Sequence, residues 1–302
     1  MSNVIVVGSA NFDHRLVVAS FPASGQTVLA GQSSQGSGGK GANQAVAAAR
    51  CGARTKMVAC LGDDDAGRAL LKAMESNLVD TSYVRATSDA LTGAAYVMVD
   101  ATGENSIIVA PGANAQLNSA DLDKAFAELS ETDYVMLQLE IPLSLVAEAI
   151  FKAHSRHAKV AVNVSPVNEE IKPYLGVIDV LIVNEGELRD VAALFNLADD
   201  DIEVLATTVA SRLGNMLVCT LGASGALVAA NNDLTRVEAP KVEVTDTTGA
   251  GDAFAGYFVA ALATGATVSY ALRRAAAAGA LAVTKAGALP AMPFASEVEL
   301  IA

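Results

Sequence analysis

The chain of 302 residues contains no tryptophan, three cysteines and three histidines, and only 5% of it is aromatic. Cys51, Cys60 and Cys219 are an odd number with no Cys-x-x-Cys spacing, which excludes a disulfide framework and leaves buried structural thiols as the expectation. His14, His154 and His157 share no metal-binding spacing with a carboxylate or cysteine, so no metal site made of histidine is expected. A Gly-x-Ser-x-Gly elbow is also missing, and with it support for a serine hydrolase. Basic residues are scarce: 20 Lys and Arg against 33 Asp and Glu give a formal charge of -13. That field repels phosphates and opposes a general affinity for nucleic acid or an anionic membrane. Any phosphate site must therefore be built locally. The start, Met1-Ser2-Asn3 and then an apolar stretch to Gly8, lacks the basic, apolar and small-residue parts of a signal peptide. The best apolar run, Ala253 to Ala263, is shorter than the roughly 18–20 residues that span a bilayer. A cytosolic protein is expected.

What is present is apolar residue, 52% of the chain, in short segments rich in Val, Ile and Leu that alternate with stretches of helical spacing. This is the pattern of buried parallel strands joined by crossover helices. Strands are expected near 4–8, 56–60, 134–138, 159–163, 179–183 and 216–220. Leu70, Met74 and Leu78 repeat every four residues between them, as do Val146 and Ile150, as core-facing helix stripes. Two regions break the rhythm, about 14–36 and 91–110, and read as antiparallel ribbons with polar turns. The expectation is a single α/β domain over 1–302, with a mostly parallel sheet and these ribbons as a β lid over the carboxyl ends of its strands.

The most informative stretch is Val244-Thr245-Asp246-Thr247-Thr248-Gly249-Ala250-Gly251-Asp252, a glycine turn running into an apolar helical segment. Glycines let successive N–H groups converge on one point and the helix adds its positive end, so Gly249, Ala250 and Gly251 read as an anion hole. Asp252 reads either as a helix cap or as a general base beside that hole. A second stretch, Gly36-Ser37-Gly38-Gly39-Lys40-Gly41-Ala42-Asn43, contains Gly-x-Gly-x-x-Gly, which raises a nicotinamide enzyme. It does not follow the first strand, and Lys40 is followed by glycine, so neither a dinucleotide fingerprint nor a P-loop fits. Lys40 and Asn43 at a helix start instead suit a hydroxyl-rich ligand. Asn11 and Asp13, after the first strand, point the same way if the chain is extended there, or else stabilise a turn. Asn184 and Glu187 fit a hydrated magnesium ion or a capping pattern. Thr220, Gly222, Ser224 and Gly225 fit a nucleotide loop or an ordinary hairpin turn.

Gly38-Gly39-Lys40-Gly41-Ala42-Asn43 and Asp246-Thr247-Thr248-Gly249-Ala250-Gly251-Asp252 together resemble the two signatures of the ribokinase-like sugar kinases. The resemblance runs from Val4 to about Pro293 and takes in Thr92-Gly93, Pro111-Gly112-Ala113-Asn114 and Gln138-Leu139-Glu140. It implies a three-layer α/β sandwich with a small lid that pairs two chains into a homodimer, and ATP-dependent phosphorylation of a sugar. By the same resemblance Asp252 is the base and Gly249 to Gly251 the anion hole. Asn11, Asp13, Gly39, Lys40, Asn43 and Glu140 bind the sugar, a set that favours D-ribose over deoxyribose, fructose or adenosine. Asn184, Thr220, Gly222, Ser224, Gly225 and Gly251 bind ATP, and Glu187 holds Mg2+ through water. An activating K+ is implied at Asp246, Thr248 and the carbonyls of Ala282, Lys285 and Gly287. Ala291 departs from the family, which commonly has serine there, and removes a side-chain oxygen from that site. Phe12 is bulkier than the small residue expected beside the sugar. A nicotinamide-dependent oxidoreductase and a non-catalytic sugar sensor are the readings from other classes.

Overall fold

The computed structural model describes residues 3–102, 104–231 and 233–302. The chain enters a large sheet with β1 (Asn3–Val7), leaves it for the hairpin β2 (Asn11–Val17) and β3 (Gln32–Gly38), and returns through α1 (Lys40–Arg50) to β4 (Arg54–Gly62). Helix α2 (Asp65–Glu75), strand β5 (Val79–Thr87) and a second hairpin, β6 (Gly93–Val99) and β7 (Asn105–Ala110), follow. Next come α3 (Ser119–Phe126), β8 (Tyr134–Gln138), α4 (Leu143–Ser155), β9 (Lys159–Asn163), β10 (Val180–Asn184), α5 (Glu185–Leu194) and α6 (Ile202–Leu213). The last part holds β11 (Met216–Thr220), β12 (Ala226–Ala230), β13 (Asp233–Val237), α7 (Ala250–Ala263), α8 (Val268–Ala282) and the short α9 (Ala295–Val298).

Nine strands form the large sheet in the order β13-β12-β11-β10-β9-β8-β1-β4-β5. Strands from β11 to β5 in that order are parallel, and β12 and β13 are added antiparallel at one edge. Because side chains alternate along a strand, each central strand feeds two cores. Val4, Val6, Met57, Ala59 and Met136 pack with α1, α2, α7 and α8, whereas Ile5, Val7, Val58, Cys60, Val135 and Leu137 pack with α3 to α6. Helix α7 lies deep in the first of these layers, which explains why its sequence is apolar almost all round. Among the described residues, no helix is long and apolar enough to cross a membrane.

One expected stripe stops early. Leu70 and Met74 are fully buried, but α2 ends at Glu75 and Leu78 is 78% exposed with φ at 65°. The chain reverses there to start β5 at Val79, so the fourth-residue repeat outruns its helix. His157 lies beyond the end of α4, at φ 60°. Cys60 and Cys219 are buried; Cys51 is half-buried, and all three are free.

The two hairpins join into a separate four-stranded sheet, β3-β2-β6-β7, through parallel pairing of β2 with β6. Its strands start at Asn11 and end at Gly38 on the first ribbon, so Asn11 and Asp13 belong to this sheet. Gly103, in the polar turn of the second ribbon, lies outside the described residues.

Candidate active site

Parallel strands bring their carboxyl ends to one edge, and here that edge is polar. Gln138, Asn163, Asn184 and Thr220 are the last residues of β8, β9, β10 and β11, with Gln138 in register with Asn163 and Asn184 with Thr220. Residues more than eighty positions apart thus form one row along that edge, at the place where open α/β sheets bind ligands.

The loop before α1 is built by close backbone approach. Gly39 has φ 90°, and a Cβ there would stand 2.5 Å from the Asn11 nitrogen; one on Gly41 would stand 2.6 Å from the Ser9 oxygen. Glycine is required at both. The strand preceding this loop is β3 of the small sheet, an antiparallel strand, so the Gly-x-Gly-x-x-Gly spacing does not sit in a βαβ unit. The Ser9 hydroxyl donates to Glu140 Oε2 at 2.6 Å. Asn114 fixes the start of β2, accepting from the Ala10 N–H at 3.0 Å and donating to Asn11 Oδ1 at 2.7 Å.

Asp252 is not used as a cap. Gly249 is the N-cap of α7, and no side chain caps it. Asp252 is 8% exposed, and its Oδ2 accepts from Asn43 Nδ2 at 2.8 Å while its Oδ1 accepts from Gln44 Nε2 at 2.9 Å. Gln44 also donates to Asn163 Oδ1 at 3.0 Å and accepts from Gln138 Nε2 at 2.5 Å. Gln44 and Asn163 were not legible as site residues, and Gln138 was named only as the start of the stretch that ends at Glu140. Their only sequence signal is an amide side chain at a strand end, or inside the alanine-rich first turns of α1.

The cluster is acidic. Burial, then Glu140 and then Asp252, raise the Asp13 carboxyl to about 7. Lys40 is the cation among these groups: burial pulls its ammonium down, but Asp252, Glu140 and Glu187 together hold it above the usual lysine range. The structure therefore brings Asn11, Asp13, Gly39, Lys40, Asn43, Glu140 and Asp252 together. Phe12 points the other way along β2, packs on the core side and meets His14 edge-on, so it does not face this cluster.

At the start of α7, Gly249 has φ 79° and packs on Ala288 and Met292, so close that an added Cβ would stand 2.9 Å from the methionine methyl. Gly251 is different. Its φ is not positive and nothing lies within 4 Å of the space a Cβ would take, so the fold gives no reason for glycine there. Gly251 is in the first turn of α7, where N–H groups have no intrahelical partner and can serve an anion. Gly251→Ala is expected to keep or slightly raise the melting temperature, since alanine favours a helix by roughly 0.5–1 kcal/mol, while lowering kcat at least tenfold. Unchanged turnover would take Gly251 out of the anion site.

Asp246 binds the far side of this corner, accepting from Thr248 N and Oγ1 and, at 3.0 Å, from the Gly287 N–H. Burial acts to raise its carboxyl, but those hydrogen bonds hold it below the usual range. Asp246 and Gly287 are thus drawn together, with α8 ending at Ala282, the Lys285 N–H on the Ala282 carbonyl and the Lys285 ammonium on Glu297. Ala291 is fully buried.

Asn184 and Glu187 form a capping box on α5: Asn184 Oδ1 accepts from Glu187 N at 2.8 Å, and Glu187 Oε2 accepts from Asn184 N at 2.9 Å. Thr220 to Gly225 is the turn between antiparallel β11 and β12, an ordinary hairpin in its backbone. Gly225 is required there, with φ 94° and the Val237 oxygen 2.0 Å from a would-be Cβ, whereas Gly222 faces open space.

The family "pfkB family carbohydrate kinase" matches residues 1–295. A ribokinase of Haemophilus influenzae is 37% identical over 97% of this chain and 95% of its own length. A deoxyribokinase of Salmonella typhi is 32% identical over 96% of this chain and 95% of its own. A solved structure of Arabidopsis thaliana ribokinase, complexed with ribose and ATP, superposes with a TM-score of 0.86 at 32% identity and covers 99% of this chain and 98% of that one. Two signatures in order, the mixed nine-stranded sheet with its four-stranded companion, and the matched length agree: the chain belongs to the pfkB family of carbohydrate kinases.

Proposed function

We propose that this chain transfers the γ-phosphoryl group of Mg-ATP to the terminal hydroxyl of D-ribose, giving ribose 5-phosphate. One observation carries the acceptor site: Asn43 is 4% exposed, donates to Asp252, and leaves its own Oδ1 buried with no partner among the described residues. A buried orphan acceptor costs about 1–3 kcal/mol unless a ligand donor fills it, and a sugar hydroxyl is such a donor. The surrounding Asn11, Asp13, Lys40 and Glu140 supply further donors and acceptors, a match for a compact polyol.

In this reading Asp252 removes the hydroxyl proton as the sugar oxygen bonds to the γ-phosphorus and the bond from that phosphorus to the ADP oxygen breaks. The amides of Gly251 and Asp252 receive the charge that develops on the phosphoryl oxygens. Asn184, Glu187, Thr220, Gly222 and Ser224 take the nucleotide side of the cleft, with Gly225 shaping its turn. The capping box leaves one Glu187 oxygen for a magnesium-bound water. Magnesium, when bound, neutralises phosphate charge. Asp246, Thr248 and the carbonyls of Ala282, Lys285 and Gly287 fit a monovalent cation, normally K+, which would steady the anion hole; Ala291 offers it no oxygen. We further propose a cytoplasmic enzyme whose small sheets pair in a homodimer, supported by Tyr96, Ile107 and Ile108, which are 42%, 53% and 59% exposed there. Light scattering at twice the chain mass is the expected result.

The direct test is ADP release with Mg-ATP and ribose, deoxyribose, fructose or adenosine, in potassium and in sodium buffer. Fast release with ribose is expected, with weaker potassium dependence than a serine at position 291 would give. Faster release with deoxyribose would move the substrate and keep the chemistry.

A further inference from the structure

We infer that Gln44 and Gln138 form an internal relay that fixes the orientation of Asp252 and reserves its Oδ2 as the oxygen that takes the substrate proton. The inference rests on the kinase reading above. Gln44 and Gln138 are fully buried. Both hydrogens of the Gln44 amide are committed, one to Asp252 Oδ1 at 2.9 Å and one to Asn163 Oδ1 at 3.0 Å. Its oxygen accepts from Gln138 Nε2 at 2.5 Å. Asn163 is oriented in turn by donating to the Ile182 carbonyl at 3.2 Å.

This network admits one orientation of the Gln44 amide. Turned over, its oxygen would face the acceptors on Asp252 and Asn163, and its nitrogen would face the donor on Gln138. Gln138 is held through its Nε2 by that bond to Gln44, while its Oε1, beside Gly8, is buried with no partner among the described residues. Asp252 Oδ1 is therefore filled from the interior. Oδ2 also accepts one hydrogen bond, from Asn43, whose own Oδ1 has no partner among the described residues; on that side Oδ2 keeps its second lone pair for the substrate proton. Gln44 is then a positioning residue that acts only through Asp252.

The test is a set of double-variant cycles read by ADP release, with melting temperature measured alongside. Gln44→Met and Gln138→Met keep chain length and remove the amides. Each is expected to lower kcat about 10–50-fold with the sugar KM within about threefold, the scale of a misplaced catalytic group. The double variant Q44M/Q138M should be no slower than Q44M, and D252N/Q44M no slower than D252N, because a residue acting through another adds nothing once that one is gone. If Q44M fails to fold, Q138M alone and with D252N carries the same comparison. An equal factor lost in the D252N background, wild-type kcat in both single variants, or a raised KM at unchanged kcat overturns the relay. The cycle is run on whichever acceptor supports release, so a wrong sugar leaves it intact; no release with any acceptor overturns the kinase reading and the relay together.

Discussion

Asp252→Asn should turn over about 10²–10⁴-fold more slowly than the parent while still folding and still binding sugar and ATP. The side chain is buried, sits in the first turn of α7 without capping it, and accepts hydrogen bonds on both oxygens. An amide of the same shape keeps one of those bonds and turns a donor against the other, so a loss of stability of about 1–3 kcal/mol accompanies the change. It removes the proton acceptor completely. Stopped-flow or coupled measurement of kcat, with ribose binding by calorimetry, separates the two effects. A variant within tenfold of the parent would end the assignment of Asp252 as base.

Asp13→Asn should stabilise the protein at pH 8 and weaken sugar binding about 10–100-fold. Burial and the neighbouring Glu140 and Asp252 raise this carboxyl from 3.8 to about 7 in the folded chain. Between those values the native state holds a proton that the unfolded state has lost, so stability falls as pH rises through about 4 to 7. Above 7 the whole penalty is present. Neutral asparagine does not carry it, and the gain over the parent should be absent near pH 4 and reach a few degrees of melting temperature at pH 8. In the proposed function the same carboxylate would offer charged acceptors to sugar hydroxyls, whose loss costs roughly 1.5–3 kcal/mol. A melting-temperature difference that does not change between pH 4 and pH 8 would show that Asp13 does not titrate in this range.

How much of this was legible beforehand depended on whether the deciding contacts were local. The core strands were readable because Val4 to Val7 and Tyr134 to Gln138 are buried on both faces and so run apolar without alternation. β12 and β13 were not, since Ala226 to Ala230 has no β-branched residue but Val228 and a hairpin needs no crossover helix to announce it. The glycine turn at Gly249 announced itself, because αL backbone and a tight approach each demand glycine. Gln44 gave no such notice: its partners Gln138, Asn163 and Asp252 lie 94, 119 and 208 positions away, and only the sheet order makes them neighbours. Leu78 shows the reverse error, a repeat that continues in sequence after its helix has ended.

Asn11 and Asp13 belong to the small sheet, whereas Asn43 and Asp252 stand on helices of the large one. A sugar gripped by all four would be a tie between two bodies that the chain joins at 8–10, at Gly39, at 88–92 and at 111–118. Its affinity would then include the work of holding the two sheets together, and a substitution in the small sheet would be felt at Asp252 only through the bound sugar.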